Sequence, residues 1–291
     1  MNNYQFAYGD GTVTLPLDGC DILGELHGNK VEPIKDIRTA LWGSLDEPIG
    51  SEALCKRVKA GNTVALIVSD MSRFWMRQDL VVPHLVDYLT QRCGVQEADI
   101  SIVIANGTHE GGDEQELRTL VTDAVYDRVR VENHDCEATD LVYLGTTPHG
   151  TPVSINRTAA QADIVICLGA VTHHVMAGFG GGRKSILPGI SSRETIFHNH
   201  AFSLDAAQLR SNPAIGNGVL KGNPLHEDMC EAAGLVKNLF IINLVMNAQM
   251  QLAAIFSGHY LSSWEQACRT VDKIYQVDIP CLLYTSPSPR D

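Results

Sequence analysis

Three continuous apolar runs, Thr63–Val68, Ile100–Ala105 and Ile164–Leu168, each end at polar or glycine residues and are separated by stretches of helical periodicity. A strand that is apolar on both faces has no solvent side, so it belongs inside a sheet covered above and below. Between the first two runs Val82, Leu85, Val86 and Leu89 recur at helical spacing, with Pro83 tolerated in the first turn and Gly94 placed to stop the helix. Ahead of the third run Asp113 and Glu116 form a capping-box pattern before Leu117, Leu120, Val121 and Ala124, which fall on one helix face. Strand-helix alternation predicts an α/β fold, a Rossmann-like, largely parallel sheet with helices on both faces. At 291 residues and 44% hydrophobic content there is room for one or two domains.

Composition excludes several function classes. A formal charge of −12 argues against a nucleic-acid or anionic-membrane surface. Met1–Thr12 has neither a basic nor an apolar leader region, and the most apolar late segment, Leu239–Phe256, is broken by Asn243, Asn247, Gln249 and Gln251. Neither a signal peptide nor a membrane span is expected. The eight cysteines show no CxxC pair or regular framework, which predicts free thiols in a reducing compartment and a cytoplasmic protein.

In open α/β sheets ligands bind at the carboxyl ends of the strands. Ser69-Asp70 follows the first run, Asn106-Gly107-Thr108-His109 the second, and Thr172-His173-His174 the third, so all three are expected to face one crevice. The third motif opens the densest chemistry of the chain, HHVMAGFGGGRKSILPGISSRETIFHNH from His173 to His200. Gly178, Gly180, Gly181 and Gly182 allow close backbone approach to a ligand, and Arg183 and Lys184 follow with positive charge. For His174, Lys184 and His200 to converge, the chain must turn back at Pro188-Gly189. A phosphate loop of the GxxxxGK[ST] kind is the rival, placing Gly178–Ser185 in an NTPase or kinase, although Arg183 stands where that pattern needs glycine.

AGFGGGRKSILPGI followed by Asn199-His200 resembles the signature of the nickel-dependent lactate racemase family. The likeness extends through YGDGTVTLPL, SDMSR (Ser69–Arg73), ANGTHE (Ala105–Glu110), NHD (Asn133–Asp135), LGTTPHGTPV (Leu144–Val153) and GNPLHEDM (Gly222–Met229), in the family's order. The resemblance implies a racemase or epimerase of a small 2-hydroxy acid, carrying a nickel pincer nucleotide supplied by cofactor-synthesis proteins. In such enzymes the α-hydrogen leaves as hydride while a base takes the hydroxyl proton. Lys184 is then the covalent attachment point, and Arg183 beside it disfavours the ammonium form. His200, rather than its neighbour His198, is the nickel ligand. His109 and His174 are the two acid-base groups, both expected to titrate near neutrality. Arg73 orients the substrate oxygens, and Asp70 and Ser72 hold the cofactor's phosphate end or order the loop. Gly180, Gly181, Gly182 and Arg183 complete the cofactor-binding set. A family member that binds the cofactor without turnover is the second alternative.

Two positions depart from the family pattern. Ser72-Arg73-Phe74 replaces a Thr-Arg-Pro run, and Glu110 follows His109 where an arginine is usual, which disfavours a second anionic group on the substrate. The expected organisation is an amino-terminal cofactor-binding catalytic domain over residues 1–265, the start of a linker or second domain over 266–280, and a non-native tail, Cys281–Asp291 (CLLYTSPSPRD), that reads as a translated sequencing adapter. The family's second α/β domain is expected to be missing.

Overall fold

A computed structural model describes residues 3–277 except 10, 18, 20, 21 and 23, so the Cys281–Asp291 tail lies outside the described residues. It has two compact units. The smaller contains an antiparallel hairpin, Asn3–Tyr8 with Gly11–Pro16, in register from Asn3 opposite Pro16 to Tyr8 opposite Gly11.

The larger unit runs from Asn29 to Gln276 and is built on a six-stranded sheet. Its strands are β1 (Val64–Ser69), β2 (Ile100–Ala105), β3 (Arg130–Asn133), β4 (Ile164–Ala170), β5 (Leu239–Met246) and β6 (Leu252–Gly258), in the order β6-β5-β4-β1-β2-β3. All neighbours are parallel except β5 with β6. The three apolar runs form β4, β1 and β2, three of the four interior strands, as expected of segments apolar on both faces; the fourth is β5. Val64, Leu66 and Val68 point into one apolar cluster, and Ala65 and Ile67 into the other. The longer helices are α1 (Ile37–Asp46), α2 (Val82–Gln91), α3 (Glu114–Val121), α4 (Arg193–Ala201), α5 (Pro224–Gly234) and α6 (Ser262–Tyr275). The first cluster takes residues from α1, α2 and α3, and the second from α4 and α5, so both faces of the sheet are covered. Among the described residues no helix is long and apolar enough to cross a membrane.

Several local expectations need correction. Asp113 does cap α3, accepting from the Glu116 amide at 2.9 Å. The helix nevertheless breaks at Thr122 (φ +77°), which leaves Ala124 exposed and buries Val125 instead. Leu239–Phe256 is a hairpin whose first strand is wholly buried; its polar residues sit at Asn243 inside β5 and in the turn at Asn247–Gln251. The boundary drawn at residue 265 falls inside α6, whose Ala267, Cys268, Val271 and Ile274 are buried in this unit. Cys55 and Cys93 form a disulfide with Cα atoms 4.8 Å apart, not free thiols, because both border the first apolar cluster and are brought together by it. Cys136, Cys167, Cys230 and Cys268 are free.

Candidate active site

The chain leaves β1 towards β2 and β3 on one side, then returns to place β4 on the other. The carboxyl ends of β1 and β4 therefore flank a topological switch point. A cavity of about 340 Å³ opens there, and Arg73, His109, His174, Lys184 and His200 all line it, with Gly180 and Gly181.

The glycine run reaches the strand ends because only glycine fits. Gly181 has φ +66°, and a Cβ on it would lie 2.8 Å from the Ala170 carbonyl oxygen at the end of β4. The Gly180 amide donates to Thr172 O at 2.7 Å, and the chain turns back at Pro188-Gly189, where Gly189 O accepts from the Gly107 amide at 2.9 Å. Ser192 then caps α4 by accepting from the Thr195 amide, and this helix carries His200 back to the cavity. His198 does not line it.

Hydrogen bonds set the protonation of each group. His109 Nδ1 donates to Asp70 Oδ2 at 2.5 Å, which fixes the tautomer: in the neutral ring the lone pair is on Nε2. His200 Nδ1 donates to Ile196 O at 2.9 Å, with the same consequence. Burial holds the His200 imidazole below its ordinary range, the Ile196 bond opposing this. His174 is arranged in the opposite sense. Its Nδ1 accepts from the Met176 and Ala177 amides at 3.2 and 3.1 Å, so the neutral ring keeps its proton on Nε2, 2.9 Å from Lys184 Nζ. The lysine is then the acceptor in that bond, an uncharged amine. The electrostatics agree: burial first, then the guanidiniums of Arg183 and Arg73, lower the Lys184 amine to about 7. Burial, with Lys184 next, pushes His174 down to about 4, so the expectation that it titrates near neutrality is corrected.

Asp70 and Ser72 stand behind the cavity rather than in it. Asp70 Oδ1 accepts from Ser72 Oγ at 2.6 Å and from Arg73 at 3.2 Å, so the pair orders Arg73 and His109. Only one terminal nitrogen of Arg73 is used, and the rest of its fork has no partner among the described residues.

Arg183 does not reach the cavity. Its guanidinium is fully buried, donates to the carbonyls of Phe179, Gly180 and Ala177, and stacks over Trp264 at 3.9 Å. The short turn Gly182–Ser185 sends consecutive side chains to different sides, so Lys184 takes the cavity and Arg183 the core. Gly182 likewise faces Trp264, whose ring a Cβ would meet at 2.6 Å. This turn follows a two-residue strand and opens no long helix, unlike a phosphate loop. Glu110 does not line the cavity.

Sequence reasoning missed the supports. Asp228, fully buried, accepts from Thr147 Oγ1 (2.5 Å), Thr151 Oγ1 (2.9 Å) and Asn199 Nδ2 (2.8 Å), tying α5 and the hairpin Val142–Thr146/Pro152–Ile155 to the residue before His200. Asn223 caps α5 and donates to Met176 O at 2.8 Å, bracing the His174 segment. The motifs LGTTPHGTPV and GNPLHEDM were the available signal. His149, Asp228 and Glu231 are close enough to hold a metal, but Asp228 is occupied by these three donors and His149 pairs with Glu231 at 2.9 Å.

Residues 8–211 match the family model of the lactate racemase N-terminal domain. The chain belongs to that family. It is similar to the lactate racemase of Thermoanaerobacterium thermosaccharolyticum (31% identity, 96% of this chain and 64% of the relative) and to that of Lactiplantibacillus plantarum (30%, 93% and 62%). It thus spans less than two thirds of either. The structure of the Thermoanaerobacterium lactate racemase apoprotein superimposes with a TM-score of 0.81 at 30% identity, covering 94% of this chain and 63% of that one. A crystal structure from Thermotoga maritima shares the fold, with a TM-score of 0.61, 23% identity and coverage of 82% and 58%. Membership in the lactate racemase N-terminal domain family agrees with the sequence resemblance, and the α/β architecture is that of the lactate racemase apoprotein.

Proposed function

We propose that this chain carries the cofactor-bearing, proton-handling part of a racemase or epimerase acting on a small 2-hydroxy acid, lactate or a close relative. The observation behind this reading is a single cavity lined by a neutral amine, a guanidinium with a free edge and three imidazoles held in defined tautomers. Arg73 binds the substrate carboxylate with the part of its fork that Asp70 and Ser72 leave open. His109 takes the hydroxyl proton at Nε2, and Asp70 stabilises the imidazolium that forms. His174 donates from Nε2 to a substrate oxygen; to serve as a base it must exchange its bonds with the Met176 and Ala177 amides for a proton on Nδ1.

The residues present also fit a nickel pincer nucleotide. The uncharged Lys184 amine is able to form the attachment, Nε2 of His200 is a borderline donor oriented by the Ile196 carbonyl, and Gly180 and Gly181 allow close approach. When bound, the group supplies reversible acceptance of the α-hydrogen with its electron pair. The test is intact-mass and metal analysis of protein co-expressed with cofactor-synthesis proteins. Lys184→Ala loses the adduct, whereas His200→Ala keeps the adduct and binds little nickel. An unchanged adduct mass in the lysine variant refutes the attachment.

A further inference from the structure

We propose that, in protein free of any covalent group, Lys184 condenses reversibly with 2-oxo acids to form an imine, which gives this cavity an amine chemistry of its own. The inference is independent of the nickel reading, because it uses only the protein's own side chains. It also has a consequence for that reading, since an imine on Lys184 excludes any other covalent use of the same nitrogen.

The first ground is the state of the amine. His174 Nδ1 is occupied by two backbone N–H donors, so the proton facing Nζ at 2.9 Å belongs to the imidazole and the lone pair belongs to the lysine. None of the residues lining the cavity is a carboxylate that could stabilise an ammonium, and Arg73 lines it as a cation. A desolvated lysine beside another cationic group is the arrangement that makes an amine nucleophilic towards carbonyl carbon. The second ground selects the electrophile. The free edge of the Arg73 fork favours a carboxylate, while Asp70 behind it is fully engaged by Ser72, Arg73 and His109 and does not line the cavity. A carbonyl directly attached to a carboxylate meets both requirements in a small molecule suited to about 340 Å³.

The chemistry balances without a redox partner. Nζ adds to C2 as the C=O π bond opens, and one amine proton moves to the oxygen to give a carbinolamine. The nitrogen lone pair then expels that oxygen, which takes the second amine proton and leaves as water while C=N forms. His174 Nε2–H is placed to hydrogen-bond the departing oxygen, and Nε2 of His109 is the free basic nitrogen available to relay the protons.

Trapping tests this directly. Purified protein whose intact mass shows no lysine adduct is incubated with pyruvate and sodium cyanoborohydride, which reduces an imine to a stable secondary amine, and the label is located by peptide mapping. The expected result is one label per chain, on Lys184, with methyl pyruvate labelling that lysine about tenfold less although its carbonyl is the more electrophilic. Arg73→Gln, a change at a partly exposed residue, should lower pyruvate labelling by about the same factor. Label spread over the exposed lysines with Lys184 unmodified overturns the proposal, and so does equal labelling by the acid and its methyl ester. Neither outcome alters the adduct test of the nickel reading, which concerns protein loaded by other means.

Discussion

Lys184 is half-buried at the cavity wall and has no counter-ion among the described residues, and that has a measurable effect on stability. Its amine titrates near 7 in the folded chain against an ordinary value of 10.5, so between those values the unfolded chain binds more protons than the folded one. Stability of the cofactor-free protein therefore rises with pH across that window. Lys184→Met should stabilise the protein by about 2 kcal/mol at pH 7, a figure discounted because the side chain borders an open cavity, and the gain should shrink towards pH 10.5. Thermal melts of the two proteins at pH 7 and pH 10 check both the sign and the trend. A gain that stays constant with pH would show that the amine is already paired in the folded state. The residue types around the lysine were legible in the sequence; their protonation was not. Whether an imidazole nitrogen is a donor or an acceptor depends on what meets its other nitrogen, and for His109 that is Asp70, 39 residues away.

At the level of elements, the Gly178–Ser185 segment works as a folded insert pressed against the end of β4. Four glycines signalled close approach, but to a ligand and to protein alike. Gly181 meets Ala170 and Val171, and Gly182 meets Trp264. Gly181→Ala combines a left-handed backbone with a Cβ 2.7 Å from Val171, so it should cost about 2 kcal/mol and lower the fraction of Lys184 that can be labelled. Denaturant melts and peptide mapping of the same sample read both effects; unchanged stability would mean that the loop has room to relax. Arg183 shows why adjacency in sequence misleads. Charge next to charge suggested one anion site, yet the turn divides them, and Arg183 becomes a core residue that closes three backbone carbonyls. α5, which carries the GNPLHEDM motif, is a support whose role only the packing reveals. Its Asn223 and Asp228 brace the segments carrying His174 and His200.

For the molecule as a whole, the cavity is open. The side chains of Arg73 and His109 are 45% and 51% exposed, so water competes for the groups that would orient a substrate. The chain accounts for 64% and 62% of the two lactate racemases it matches, and we propose that turnover requires the further third of such a protein. The chain alone should show no racemisation of lactate in a chiral assay. Joined to the remaining portion of a relative and loaded with cofactor it should turn over, and His109→Ala or His174→Ala should each abolish both directions. Comparable rates with and without the added portion would overturn that requirement. By itself the sequence determined three of the four interior strands and the side of the sheet on which their chemistry meets. Apolar period is a local property, and parallel strands necessarily end on the same side. Only the tertiary structure decided that β4 lies beside β1 at a switch point, that Lys184 faces the cavity while Arg183 is buried, that Cys55 pairs with Cys93, and which nitrogen of each histidine bears the proton. Each of these rests on directional contacts created when separate segments pack, and no local periodicity encodes them.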